Sequence, residues 1–146
     1  MTRICIFLLL TCSSFITFSQ DKGDFIDINL VQPIIEDLGR QFTAEFRSMD
    51  SIALANHYTS DGMLGSIKGR ENLISAWNRM IQSGIKNGTP NLLFVTNSLA
   101  TDDEFIVELG KFEFVDDNGV TKNQGKYVVV WKQENGEWKI YRDNGL

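Results

Sequence analysis

The sequence predicts an α+β domain, with helices leading into an antiparallel sheet. Three observations support this. Between Glu104 and Asp143 lie three strand-length runs rich in Val, Ile, Phe, Tyr and Trp: FIVELGKFEFV, VTKNQGKYVVVWKQ and EWKIYRD. Each junction between them contains Asn-Gly, at Asn118-Gly119 and Asn135-Gly136, the dipeptide that supplies the positive φ angles of a tight hairpin. Ahead of this meander, apolar residues recur at helical spacing.

The chain of 146 residues opens with Arg3 and an uncharged apolar run from Ile4 to Phe18. Thr17 and Ser19 are small residues at the −3 and −1 positions of a signal-peptidase site, and charge begins at Asp21. This three-part layout predicts a secretory leader over residues 1–19, cleaved near Ser19, with residues 20–146 exported to the periplasm or beyond as one domain. The run is short for a membrane span of about 20 residues. Thr11 before Cys12, with apolar sequence continuing past it, makes a poor lipoprotein site. Both cysteines, Cys5 and Cys12, fall in the leader, so the exported domain is expected to have no disulfide and no thiolate metal site. Loss of Arg3 leaves 13 basic and 19 acidic residues, taking the formal charge from −5 to −6. No basic cluster occurs, which argues against nucleic acid and anionic membranes as partners.

Asp21 to Asn29 reads as a polar lead-in. From Pro33 a stripe of Ile35, Leu38, Phe42, Phe46 and Met49 predicts a helix, with Pro33 in its first turn and Gly39 weakening it slightly. Asp50 is placed to cap a short helix from Ser51 to Tyr58. Thr59-Ser60-Asp61-Gly62 predicts a turn, Met63 to Ser66 a short strand, and the stretch after Gly69 a helix with Leu73, Trp77, Met80 and Ile81 on one side. After a loop from Gly84 to Pro90, Asn91 to Ser98 predicts a further strand.

Treated as two-residue turns, the Asn-Gly pairs fix the registers. The first places Leu109 beside Val128 and Glu108 beside Val129; the second places Val130 beside Tyr141 and Val128 beside Asp143. One face then presents Phe105, Val107, Leu109, Val128, Val130, Tyr141 and Asp143. The other presents Ile106, Glu108, Phe112, Phe114, Tyr127, Val129, Trp131, Ile140 and Arg142. Both are largely apolar, so both are expected to be covered.

From Ile34 to Asp143 the chain resembles the nuclear transport factor 2-like superfamily, in its SnoaL-like and ketosteroid-isomerase-like branch. The resemblance rests on Asp50, Ala55-x-x-Tyr58-x-x-Asp61-Gly62, Gly69-Arg70-Glu71 with Trp77, Gly125-Lys126-Tyr127, Trp131 and Gly136-x-Trp138-x-Ile140-x-x-Asp143. It implies a strongly bent sheet wrapped around three helices as a cone with an internal pocket, and a dimer through the outer sheet face. Helices would then cover the Leu109, Val128 and Asp143 face. A partner subunit would cover Phe112, Phe114, Trp131, Trp138 and Ile140. The resemblance also puts the ketosteroid isomerase base near Ser66, its tyrosine near Phe42 and its protonated aspartic acid at Val128. None of these has the needed group, which argues against that reaction.

Asp143 is the candidate catalytic or ligand-anchoring group, because a carboxyl among apolar neighbours has its pKa raised. The competing expectation is a structural carboxylate tied to a backbone amide or to Lys126. Phe42, Tyr58, Leu64, Ser66, Trp77, Leu109, Val128, Val130 and Tyr141 are the expected pocket wall around it. Glu108 and Arg142, flanking Val129, are expected to form a structural ion pair. His57, the one histidine, is expected to be an exposed residue at a helix end. With one histidine and no clustered Asp motif, neither a metal nor another cofactor is expected.

Three functions fit this pattern. The first is an exported protein holding a small, mostly apolar molecule in the cone. The second is an acid–base enzyme of the isomerase, cyclase or dehydratase type using Asp143. The third is a dimeric accessory module whose interior is filled by its own side chains.

Overall fold

The structure, a computed structural model, describes residues 26–146; the expected leader over residues 1–19 lies outside the described residues. Helix α1 (Ile28–Arg47) starts where Asp27 accepts the backbone N–H of Asn29. It therefore begins five residues before Pro33, which lies inside the helix and not in its first turn. The buried stripe is Val31, Ile35, Phe42 and Phe46; Met49, past the helix end with φ 63°, is exposed. Asp50 caps α2 (Ser51–Asn56), accepting the N–H groups of Ile52 and Ala53.

Strand β1 (Tyr58–Leu64) includes the expected turn at Thr59 to Gly62, because it runs parallel to the last strand of the chain. The two backbones come so close that a Cβ on Gly62 would lie 2.7 Å from the Ile140 carbonyl. After β2 (Ile67–Lys68), α3 (Arg70–Lys86) buries Leu73, Ala76, Trp77 and Ile81. Four long strands follow: β3 (Asn91–Asp102), β4 (Phe105–Val115), β5 (Thr121–Glu134) and β6 (Glu137–Gly145). The sheet order is β2-β1-β6-β5-β4-β3. The domain is α+β, with the helices on the concave side of one bent sheet.

The two meander hairpins depart from expectation in opposite ways. Between β4 and β5 the connection is a loop from Asp116 to Val120, whose Asp116 carboxylate accepts the N–H groups of Asn118 and Val120. A bulge at Lys122 then restores the expected register, with Glu108 opposite Val129 and Leu109 opposite Val128. Between β5 and β6 the two-residue turn is as expected, with Asn135 and Gly136 both at positive φ. A bulge at Tyr141 then shifts the remaining pairs, so Arg142 meets Val130 and Asp143 meets Val129. The expected pairs of Val130 with Tyr141 and Val128 with Asp143 do not form.

The covering of the faces is also the reverse of expectation. Trp131, Trp138 and Ile140 are buried against the helices, with Phe112 and Phe114 packed beside them, so these five residues form core and not a dimer interface. The choice follows from charge. Apart from Glu108 and Asp143, the inner surface of β4 to β6 is apolar or aromatic where it meets the helices, whereas the outer surface mixes Val107, Leu109, Val128 and Val130 with Lys111, Lys126, Lys132 and Arg142. Burying one large apolar side chain is worth about 1.5–3 kcal/mol, and burying an unpaired lysine is unfavourable.

Candidate functional site

The cone interior is organised by one row across the sheet: Glu108 on β4, Val129 on β5 and Asp143 on β6. Asp143 reaches this row only because of the Tyr141 bulge. Regular pairing would have placed Arg142 there. Arg142 instead lies outside, 3.5 Å from the Tyr141 ring centroid, and donates to the Asp61 carbonyl at 3.1 Å. The expected Glu108–Arg142 pair is therefore not made, and Lys126, exposed on the outer face, is not a partner of Asp143.

Glu108 is buried and fully engaged. Its Oε1 accepts the hydroxyls of Thr96 at 2.7 Å and Tyr127 at 2.6 Å, and its Oε2 accepts the Trp131 indole N–H at 2.8 Å. Gly110, directly opposite Tyr127, makes this possible, since a Cβ there would collide with the tyrosine ring. Burial and the Glu108 charge hold the Tyr127 hydroxyl well above its usual pKa.

Asp143 is surrounded differently. Its Oδ2 accepts the Tyr58 hydroxyl at 2.7 Å, and no donor among the described residues reaches Oδ1. Desolvation pushes its pKa up to about 6; the Tyr58 hydrogen bond opposes this, and the charge of Glu108 adds to it. Tyr58, buried and facing Asp143, is itself shifted upward by desolvation.

Both carboxyls line one partly open cavity of about 40 Å³, together with Gly39, Phe42, Phe94, Tyr127, Val129, Trp131 and Ile140. Its origin can be traced in α1. Gly39 falls on the stripe formed by Val31, Ile35, Phe42 and Phe46, where a core side chain would otherwise project, and a Cβ there would meet nothing within 4 Å.

Of the expected pocket residues, Phe42 lines the cavity, Tyr58 holds Asp143, and Leu64 packs at the core edge beside Asp143 in the β1–β6 pairing. Trp77 is buried in the core, edge-on to Phe42 at 5.0 Å. Ser66 is exposed, in the turn between β1 and β2. Leu109, Val128, Val130 and Tyr141 lie on the outer face, Tyr141 stacked on Phe105 at 5.4 Å. Gly39, Phe94, Thr96, Glu108, Tyr127 and Val129 are not among the expected site residues, and Trp131 and Ile140, which line the cavity, were expected at the outer interface. The available signals were a glycine within the apolar stripe of α1 and Gly110 within a strand, which marks a close approach.

His57 is mostly buried rather than exposed. Its Nε2 lies 2.7 Å from Glu45, and its ring packs on Phe42 at 5.1 Å. Among the described residues, no group of three His, Cys, Asp or Glu side chains is placed to hold a metal ion.

ActVI-ORFA from Streptomyces coelicolor superposes with a TM-score of 0.65 at 10% identity, covering 83% of this chain and 96% of that one. An NTF-2 like protein of unknown function from Shewanella oneidensis gives 0.60 at 14% identity, over 78% and 97% of the two chains. The chain has the nuclear transport factor 2-like fold. Aln2 from a Streptomyces species has the same architecture, with a TM-score of 0.63 at 9% identity over 84% of this chain and 93% of Aln2. No family model and no curated protein matches the sequence. Within this nuclear transport factor 2-like fold the two carboxyls lie on the inner wall of the sheet, beneath α1.

Proposed function

We propose that this chain binds a small molecule inside its cone, anchoring a polar head group on Asp143, and that the same carboxyl can exchange a proton with the bound molecule. The observation supporting this is that Asp143 lines a cavity while only its Oδ2 is held, by Tyr58, and Oδ1 has no donor among the described residues. A carboxyl with a pKa near 6 is suited to acid–base work close to neutrality. The nuclear transport factor 2-like fold is compatible with either a binding protein or a cyclase-type enzyme.

The cavity volume favours a second reading. Pockets for drug-sized ligands span about 300–1,000 Å³, and about 40 Å³ admits only a head group unless α1 moves. An accessory module with a filled interior has the same appearance. Thermal shift of the exported region with steroids, aromatic polyketide-like compounds and fatty acids, with Asp143→Asn in parallel, separates the two. Ligand at a hundred times its dissociation constant adds about 2.7 kcal/mol. A shift that disappears in the variant supports binding at Asp143; the absence of any shift supports the module.

Export after cleavage near Ser19 and pairing of two copies through the outer sheet face belong to the same proposal. Exposed Leu93, Val95 and Leu109, with half-buried Val107, Val128 and Val130, would form the contact. A monomer by light scattering at micromolar concentration would remove the pairing, and retention of the leader in protein recovered from cells would remove the export.

A further inference from the structure

The charges and donors inside the cone narrow the chemistry of the ligand, given the small-molecule reading above. We propose that the cavity takes a protonated amine, with its ammonium group on Asp143 Oδ1 and its C–H surface against the surrounding rings.

Three observations converge on a cation. First, the cavity wall contains two carboxyls and no basic side chain. The nearest positive groups of the sheet point outward: Arg142 stacks on Tyr141, Lys132 pairs with Glu104 at 3.2 Å, and Lys126 is exposed. Negative charge enclosed without a cation is costly, and a positive ligand relieves that cost.

Second, the donors of the wall are already committed. The Tyr127 hydroxyl and the Trp131 N–H both donate to Glu108, and the Tyr58 hydroxyl behind the wall donates to Asp143. With Asp143 ionised, what the wall still offers is acceptor capacity, on Asp143 Oδ1 and on the Tyr127 hydroxyl oxygen. A ketone or a carboxylate would meet acceptors with its own acceptors. An ammonium group brings three donors and a full charge.

Third, Phe42, Phe94, Tyr127 and Trp131 line the space, and aromatic rings attract cations through their π faces. A volume of about 40 Å³ matches a head group of ammonium or methylammonium size, with a longer substituent leaving past Gly39, where no side chain blocks the way.

The titratable groups facing Asp143 are Tyr58 from β1, Tyr127 from β5 and Glu108 from β4; from α1 only Gly39 and Phe42 face the cavity. His57 and Glu45 pair with each other at 2.7 Å and do not line the cavity. Both tyrosines stay protonated across the neutral range, leaving Asp143 as the group whose titration governs amine affinity.

The test is calorimetry on residues 20–146 with four probes: methylammonium, benzylammonium, benzyl alcohol and benzoate. The expected result is binding of the two amines alone, about tenfold tighter near pH 7.5 than near pH 5 as Asp143 loses its proton. Asp143→Asn should abolish that pH dependence. Gly39→Leu should fill the opening and abolish binding without lowering the melting temperature, which covers the case in which the Asn variant fails to fold. Binding of benzyl alcohol or benzoate in place of the amines would overturn the amine assignment and leave the small-molecule reading standing. Absence of binding by all four at millimolar concentration would overturn the assignment, and the thermal-shift panel would then decide the broader reading by itself.

Discussion

Glu108 and Asp143 occupy the same row of the sheet, on the same face, one on each side of Val129. Their surroundings nonetheless give them opposite characters. Glu108 receives three donors and is buried; Asp143, which also lines the cavity, receives one. A carboxylate saturated by donors is a structural hub, because every donor depends on it. A desolvated carboxyl with one donor is poised to change protonation, since nothing but Tyr58 favours its charge. Burial alone does not distinguish structural from reactive carboxyls; the number of donors does.

The contrast is tested most severely at Glu108. Glu108→Ala would leave the Thr96, Tyr127 and Trp131 donors without an acceptor. At about 1–3 kcal/mol for each of the three orphaned donors, urea unfolding should show a loss of roughly 3–9 kcal/mol. Glu108→Gln retains an acceptor oxygen and should lose less. A loss below about 1 kcal/mol for the alanine variant would mean that the three donors have other partners, and the hub would not exist.

Asp143 should affect stability through pH instead. Its folded pKa, about 6, lies above the ordinary aspartate value of 3.8. The folded state therefore holds the proton more tightly than the unfolded chain does. Its stabilising effect is full below the unfolded pKa and is lost as pH rises through the folded pKa. At about 1.4 kcal/mol per unit, wild type should lose roughly 2 kcal/mol relative to Asp143→Asn between pH 4 and pH 7. Equal pH profiles for the two proteins would show that Asp143 titrates normally and is solvated.

Tyr58→Phe should act on the same balance with a smaller effect. It removes the one hydrogen bond that lowers the Asp143 pKa, so the carboxyl titration, followed by its ¹³C resonance, should move above 6. The stability change should be about 1 kcal/mol. A downward move would mean that solvent enters where the hydroxyl was and solvates the carboxylate better than Tyr58 does.

The two hairpins explain how much of this could be read from sequence. Composition and Asn-Gly turns were enough for the α+β class and for every strand of the meander. At the β4–β5 connection the loop is longer than two residues, yet the bulge at Lys122 cancels the difference and the register through Glu108 and Leu109 stands. At the β5–β6 connection the turn is the expected one, and the bulge at Tyr141 has nothing to offset it, so every residue after it changes face. Nothing in the run KIYRD marks a bulge. The two large rings packed outside it, Phe105 on Tyr141 and Arg142 over the same ring, are contacts that only the folded sheet defines. The same slip accounts for placing Trp131, Trp138 and Ile140 at an interface. With Asp143 assigned to one face and Trp131 to the other, the helices could cover only one of them, whereas the bulge places both inside.

The smallest expected effect lies in α1, opposite the carboxyl row. A glycine inside a 20-residue helix destabilises it by about 1 kcal/mol relative to alanine. Gly39→Ala adds a methyl where a Cβ meets nothing within 4 Å, so no clash offsets the helical gain. The melting temperature should rise by a few degrees. That sign matters, because a destabilised alanine variant would mean that α1 needs the glycine for close packing, leaving the cavity a by-product. A stabilised variant would mean that the chain forgoes helix stability to keep space beside Asp143. The carboxyl row and the missing side chain would then be two halves of one site: the sheet supplying the chemistry, and the helix supplying room for a ligand to meet it.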